Sequence, residues 1–251
     1  MISVIDEIQV SPGAAVLPGE EREKSVVVFD IETGPAPADV IDRHMPEIEA
    51  PANYKDPVKI EAYKAEQREK YVQKAALSPL TGRVLAIGAW ADGIYHRFIC
   101  DETEGAEAEC IRWFWGLVST RTVLVGFNSN GFDLPFLFRR SWALGIPAPK
   151  GRLDRQFRPE VSVHVDLLDL WRLGDRHLFI SLDAVSRYLG IGEKSGEGEL
   201  FYQVLRAFPE EAEAYLKNDV RLTFELAKRL EVIHPELEFE ETGSVCADTD
   251  Y

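Results

Sequence analysis

Residues 26–35 read Val-Val-Val-Phe-Asp-Ile-Glu-Thr-Gly-Pro, and no other stretch limits the fold so tightly. A run of β-branched and aromatic residues closed by Gly-Pro predicts a strand buried on both faces that stops abruptly. Alternate side chains of a strand leave the same face, so Asp30 and Glu32 are expected side by side at its far end. Two neighbouring carboxylates repel unless a cation lies between them, and a divalent ion is the usual solution. Taken alone, the pair would better suit a solvated strand end.

The segments around this strand set out an alternating α/β chain. Residues 1–24 mix Ser, Pro, Gly and Glu without periodicity and predict a loose arm. Residues 36–80 form an excursion whose middle, 57–76, is rich in Lys, Glu, Gln and Ala. It predicts a solvated helix, either a flap near the first strand or a neutral surface insertion. Two strand-like runs, 83–90 and 94–99, flank Ala91-Asp92-Gly93 and predict a hairpin, because Asp-Gly supplies the positive φ of a tight turn. A helix is expected over 107–118, with its tryptophans in the core. A strand follows over 122–127, then a helix from 134 to 145, a strand over 161–167 and a helix over 182–189 ended by Gly190. Residues 190–198 are a glycine-rich connection, and Lys194-Ser195 lacks the spacer of a phosphate loop. A long helix from about 209 to 232 closes the domain, expected to span 25–233, with an acidic tail from His234 onward.

A formal charge of −15 argues against indiscriminate coating of polyanions. Against that background, Arg139, Arg140, Lys150, Arg152, Arg155 and Arg158 face one acid, Asp154, and are read as a phosphate-contacting segment. Cys100, Cys110 and Cys246 form neither a disulfide framework nor a CxxC zinc site. With no apolar run of membrane-spanning length and no signal pattern, a cytoplasmic location away from membranes is expected.

Two more acids stand where they could join Asp30 and Glu32. Asp133 follows a buried strand at the start of a helix, facing the same sheet edge as Asp30. Asp219 lies four residues after Tyr215 in the last helix, so both occupy one helix face. The segments Phe29-Asp30-Ile31-Glu32-Thr33, Asn128-Ser129-Asn130-Gly131-Phe132-Asp133 and Tyr215-Leu216-Lys217-Asn218-Asp219 resemble, in order, the three exonuclease motifs of the DEDD superfamily. They are most similar to its tyrosine-bearing branch and to the proofreading domain of family-B DNA polymerases.

That resemblance implies an α/β, ribonuclease H-like fold: a mixed five-stranded sheet, three antiparallel strands then two parallel ones, with helices on both faces. It implies a free-standing 3'-to-5' exonuclease acting on single-stranded DNA, with RNA as a further substrate, and leaves room for an unnamed protein partner. Asp30, Glu32, Asp133 and Asp219 would hold two Mg2+ or Mn2+ ions, and Tyr215 would orient the attacking water. Thr33, Asn128 and Phe132 would meet the terminal nucleotide, while Arg152, Arg155 and Arg158 would hold phosphates. The superfamily's other branch places a histidine five positions before the last acid, and His164 to Asp169 has that spacing. It falls on a strand rather than the last helix, so His164 is read as an ordinary strand residue and Asp166 and Asp169 as structural. Two other functions remain open: a catalytically inactive binding module on the same fold, and a nuclease of RNA or small oligonucleotides.

Overall fold

The computed structural model describes residues 25–149, 164–195 and 201–241. At its centre is β1 (Val26–Pro35), paired antiparallel with β2 (Gly82–Ala91), which turns back into β3 (Ile94–Ile99). The turn is Asp92-Gly93, both at positive φ (51° and 90°), as a tight hairpin requires. On the other side of β1, β4 (Val123–Gly126) and β5 (His164–Asp166) add in parallel. These five strands run β3-β2-β1-β4-β5, and a two-residue strand, β6 (Glu240–Glu241), pairs in parallel with β3 at the edge.

The period of two along β1 divides the core. Val27, Phe29 and Ile31 face α3 (Ala106–Gly116) and α4 (Asp133–Ala143), against Ile111, Phe114 and Leu137. Val26 and Val28 face the opposite layer, where Trp90, Val220 and Phe224 gather. That layer contains α5 (Leu167–Arg172), α6 (Leu182–Leu189), α7 (Phe201–Ala207) and α8 (Pro209–Arg229). Its helices carry clear end signals: Ser181 caps α6 by accepting from Ala184 N, Gly190 ends it at φ 67°, and Pro209 opens α8. Trp115 and Phe114 are buried, the core role expected of this aromatic run.

The excursion between β1 and β2 holds α1 (Ala38–His44) and α2 (Pro57–Lys74), and α2 has no buried residue. The expected tail does not leave the sheet at His234. Leu237 and Phe239 pack on the core, Trp90 Nε1 donates to Glu238 O at 3.1 Å, and Phe239 lies against Tyr95 and Phe224. Two apolar side chains at i and i+2 are enough to hold an acidic segment on a sheet edge. Neither α1 nor α7 was visible as a separate helix in the sequence, since each is only seven residues long. Arg140, counted among the phosphate-contacting residues, is committed elsewhere. Its guanidinium forms a two-pronged pair with Glu107, 2.7 Å on each arm, while Glu107 also accepts from Val84 N. Lys150, Arg152, Arg155 and Arg158 lie outside the described residues.

Candidate active site

Asp30 and Glu32 project from the face of β1 that turns toward α8. Opposite Asp30 on β2 stands Gly88, and a Cβ there would come within 2.8 Å of Val220 Cγ2. The missing side chain lets α8 settle close to the sheet, which brings Asp219 down beside the strand acids. One carboxylate oxygen from each of Asp30, Glu32 and Asp219 falls within 4.8 Å of the others. Asp133, the first residue of α4, lies outside that tight group but is tied to the same strand: its Oδ1 accepts from Ile31 N at 3.2 Å. Tyr215 is buried one turn before Asp219 on the same side of α8, its ring near Phe201.

The site includes a residue that sequence reasoning passed over. Lys194 Nζ sits 2.5 Å from Asp219 Oδ2 and 3.1 Å from the Tyr215 hydroxyl, and lies over the tyrosine ring. Asp183 fixes the loop by accepting from Lys194 N at 2.8 Å. The available signal was a lone lysine among the glycines of residues 190–198.

Electrostatics follow from burying several acids against one cation. Burial, then the charges of Asp133 and Asp219, raises the Asp30 carboxyl well above its ordinary range. Burial, then Asp30 and Asp219, does the same for Glu32. Asp133 is pushed up by burial to about 7, although the Ile31 N–H works in the opposite direction. Burial also raises Asp219, opposed by Lys194. Burial disfavours charge on Lys194, yet the acids around it, Asp219 foremost, leave its pKa above the usual lysine value. Burial raises the Tyr215 phenol, reinforced by Glu32 and Asp219.

These residues suit a hard divalent cation. All the donors are carboxylate oxygens, the local charge is negative even with Lys194 present, and Asp219 Oδ1 is buried with no hydrogen-bond partner. A buried anionic oxygen without a partner is costly, and a coordinated ion removes that cost.

The remaining expected contacts lie on β1 and on the loop before α4. Thr33 is buried just past Glu32, where β1 and β2 shift register. Asn128 is exposed at φ 57°, and Gly131 leaves room for it, since a Cβ there would lie 2.6 Å from Asn128 Oδ1. Phe132 is half-buried, its ring 5.5 Å from Phe136. Asp166 holds this loop: its two oxygens accept from Asn128 N and Asn130 N, each at 2.8 Å, and it caps α5 at Leu168 N. His164 stands on β5 with Nε2 3.0 Å from Ser129 Oγ. The Asp166 carboxylate therefore shapes the loop, as its strand setting led us to expect.

The comparisons agree with this construction. A family model described as "Predicted 3'-5' exonuclease related to the exonuclease domain of PolB" matches residues 81–250, and the chain belongs to that family. It is thus an exonuclease by family, with nucleic acid as its substrate class. DNA polymerase 2 and DNA polymerase 1 of Aeropyrum pernix are 31% and 32% identical to it over 121 and 117 residues. Those alignments cover 43% and 41% of this chain but only 15% and 12% of the two polymerases. Among solved structures, the family B DNA polymerase of Pyrobaculum calidifontis superposes with a TM-score of 0.54 at 24% identity. The match spans 87% of this chain and 26% of that one, and it establishes the ribonuclease H-like fold. β1 precedes the segment matched by the family model, so the grouping of Asp30 and Glu32 with Asp219 rests on geometry. No helix among the described residues is long and apolar enough to cross a membrane.

Proposed function

We propose that the protein hydrolyses single-stranded nucleic acid, DNA in preference, from its 3' end to nucleoside monophosphates by metal-assisted attack of water. The observation that carries this reading is the meeting of Asp30 and Glu32 from β1 with Asp219 from α8 within 4.8 Å. Asp30, Glu32 and Asp219, with Asp133 beside them, would hold two Mg2+ or Mn2+ ions, oxygen donors being the ligands those metals prefer. When bound, such ions lower the pKa of water and relieve charge on the phosphate during in-line displacement. Tyr215 holds the attacking water through its hydroxyl. Its raised pKa keeps the phenol protonated and therefore able to donate. Lys194 fixes that hydroxyl and neutralises part of Asp219, which limits repulsion of the incoming phosphate. Thr33, Asn128 and Phe132 would meet the terminal nucleotide, and Arg152, Arg155 and Arg158, outside the described residues, would supply phosphate contacts.

The test is digestion of 3'-labelled and 5'-labelled single-stranded DNA and RNA with magnesium, manganese or chelator, beside an Asp30→Ala variant. Shortening from the 3' end that needs both metal and Asp30 is the expected result. Metal-independent cleavage, or full activity in Asp30→Ala, would overturn the assignment.

A further inference from the structure

Between Asp166 and Lys194 the chain leaves the candidate site and returns to it. It departs where Asp166 grips the Asn128–Asn130 backbone, with Asn130 Nδ2 donating to Asp169 at 3.0 Å, and it comes back with Lys194 on Asp219. On this detour several large apolar side chains stay in water: Leu173 is 89% exposed, Phe179 85% and Tyr188 78%. A folding chain does not gain from leaving such surface open, and several large apolar side chains exposed on one short segment point to a site of contact.

The aromatic groups here are ordered. Trp171 and Tyr188 meet edge to face at 6.0 Å, and the Arg172 guanidinium lies 5.6 Å over the Phe179 ring. Arg172 is itself fixed, its Nε donating to Leu178 O at 2.8 Å and its Nη1 3.3 Å from Asp169. In the same loop Arg176 is exposed and has no acid partner among the described residues. Exposed rings near an unpaired arginine, on a segment anchored at both ends to a nuclease site, are what an unpaired nucleic-acid strand recognises. Bases stack on the rings without regard to sequence, and guanidinium groups meet the phosphates.

We infer that Phe179, Tyr188 and Arg176, with Trp171 and Arg172 holding the rings in place, form a stacking path for the single strand that feeds its 3' end into the acid cluster. This deepens the function proposed above and rests on it for the direction of feed. The occupant is an unpaired strand rather than a protein because the segment is anchored to the site at both ends and sets arginines among its rings.

The experiment compares the full-length wild type with a Phe179→Ala/Tyr188→Ala variant and with Arg176→Gln. The probes are fluorescent oligothymidylates of about four and about sixteen nucleotides and the p-nitrophenyl ester of thymidine 5'-monophosphate. Binding is read by anisotropy with chelator present, so that no strand is consumed. The double variant is expected to bind the long strand roughly tenfold or more weakly and to raise its KM by a similar factor. It should bind the short strand less altered and hydrolyse the ester as the wild type does, with Phe179→Tyr keeping long-strand affinity. Arg176→Gln should flatten the salt dependence of long-strand binding by about one charge. Equal long-strand affinity in the double variant would overturn the path and leave the patch to a protein partner. An equal loss on the ester would also overturn it, by showing that the substitutions disturb the site itself. Should the wild type cleave neither strand nor ester, the proposed function would fall, while the anisotropy comparison would still decide the path.

Discussion

The two longest helices among the described residues are held in place in opposite ways. α8, 21 residues long, buries a full face that includes Ala212, Leu216, Val220 and Phe224, and with it Tyr215 and Asp219. α2, with 18 residues, buries none. Its start is capped by Asp56, and Lys70 pairs with Glu66 within it; it is held to the rest by Arg68 on Asp42 at 2.6 Å and by Tyr71, which packs on Ala36, Ile41 and Ala75 and donates to His44 O. Exposed ion pairs of that kind contribute about 0–1 kcal/mol each, whereas one buried leucine contributes several times more. The difference separates two uses of a helix. Only one locked by packing can hold a carboxylate at a fixed position between strand acids, and a solvated one is free to vary without cost to the fold.

The sharpest break of this contrast is chemical. Asp219→Asn keeps the shape of α8 but removes one oxygen anion from the cluster. Replacing groups that merely support a metal ligand costs about 10–100-fold, so losing a ligand should cost more than about a hundredfold in the cleavage rate. The melting temperature should hold. An enzyme that stays active would detach α8 from the chemistry.

Next comes the packing that positions it. Leu216 is fully buried and lies against the space left by Gly88, so Leu216→Ala should lower unfolding stability by about 2–5 kcal/mol in urea titration. A loss below about 1 kcal/mol would mean that α8 is not fixed by this contact.

The acids that α8 and β1 bring together also make stability depend on pH. Asp30, Glu32, Asp133 and Asp219 all have pKa values raised in the fold, first by burial, so the native state holds protons that the unfolded chain has released. The stabilisation is complete below the unfolded carboxyl pKa of about 4 and is lost as pH rises through the folded values, about 7 for Asp133. In chelator, the melting temperature should therefore fall across that window. Magnesium should flatten the fall, because a bound cation replaces the protons. A melting temperature that rises with pH in chelator would contradict the burial of uncompensated carboxyls.

Much of this site was legible because it depends on short-range geometry. Period two placed Asp30 beside Glu32, and an i, i+4 step placed Tyr215 with Asp219. The Asp-Gly turn fixed the hairpin of β2 and β3. What stayed hidden depends on contacts distant in sequence. Lys194 reaches Asp219, 25 positions further along the chain, only because Asp183 and Gly190 fold the connection back, and no local pattern announces that return. Likewise β6 exists because Leu237 and Phe239 find Tyr95, Trp90 and Phe224, far from them in sequence.

The smallest expected effect completes the contrast. Ala65 is exposed in the middle of α2, so Ala65→Gly removes helix propensity and nothing else, a local cost of at most about 1 kcal/mol. Because α2 buries no residue, that cost should stay within it rather than spread to the sheet. Amide hydrogen exchange should show α2 opening more readily in the variant while the amides of α8 and β1 keep their protection. The global melting temperature should scarcely change. Slower exchange in α2 than in α8 of the wild type, or equal acceleration of both helices in the variant, would mean that the excursion is coupled to the core after all. In that case α2 would have to be counted among the elements that position the acids.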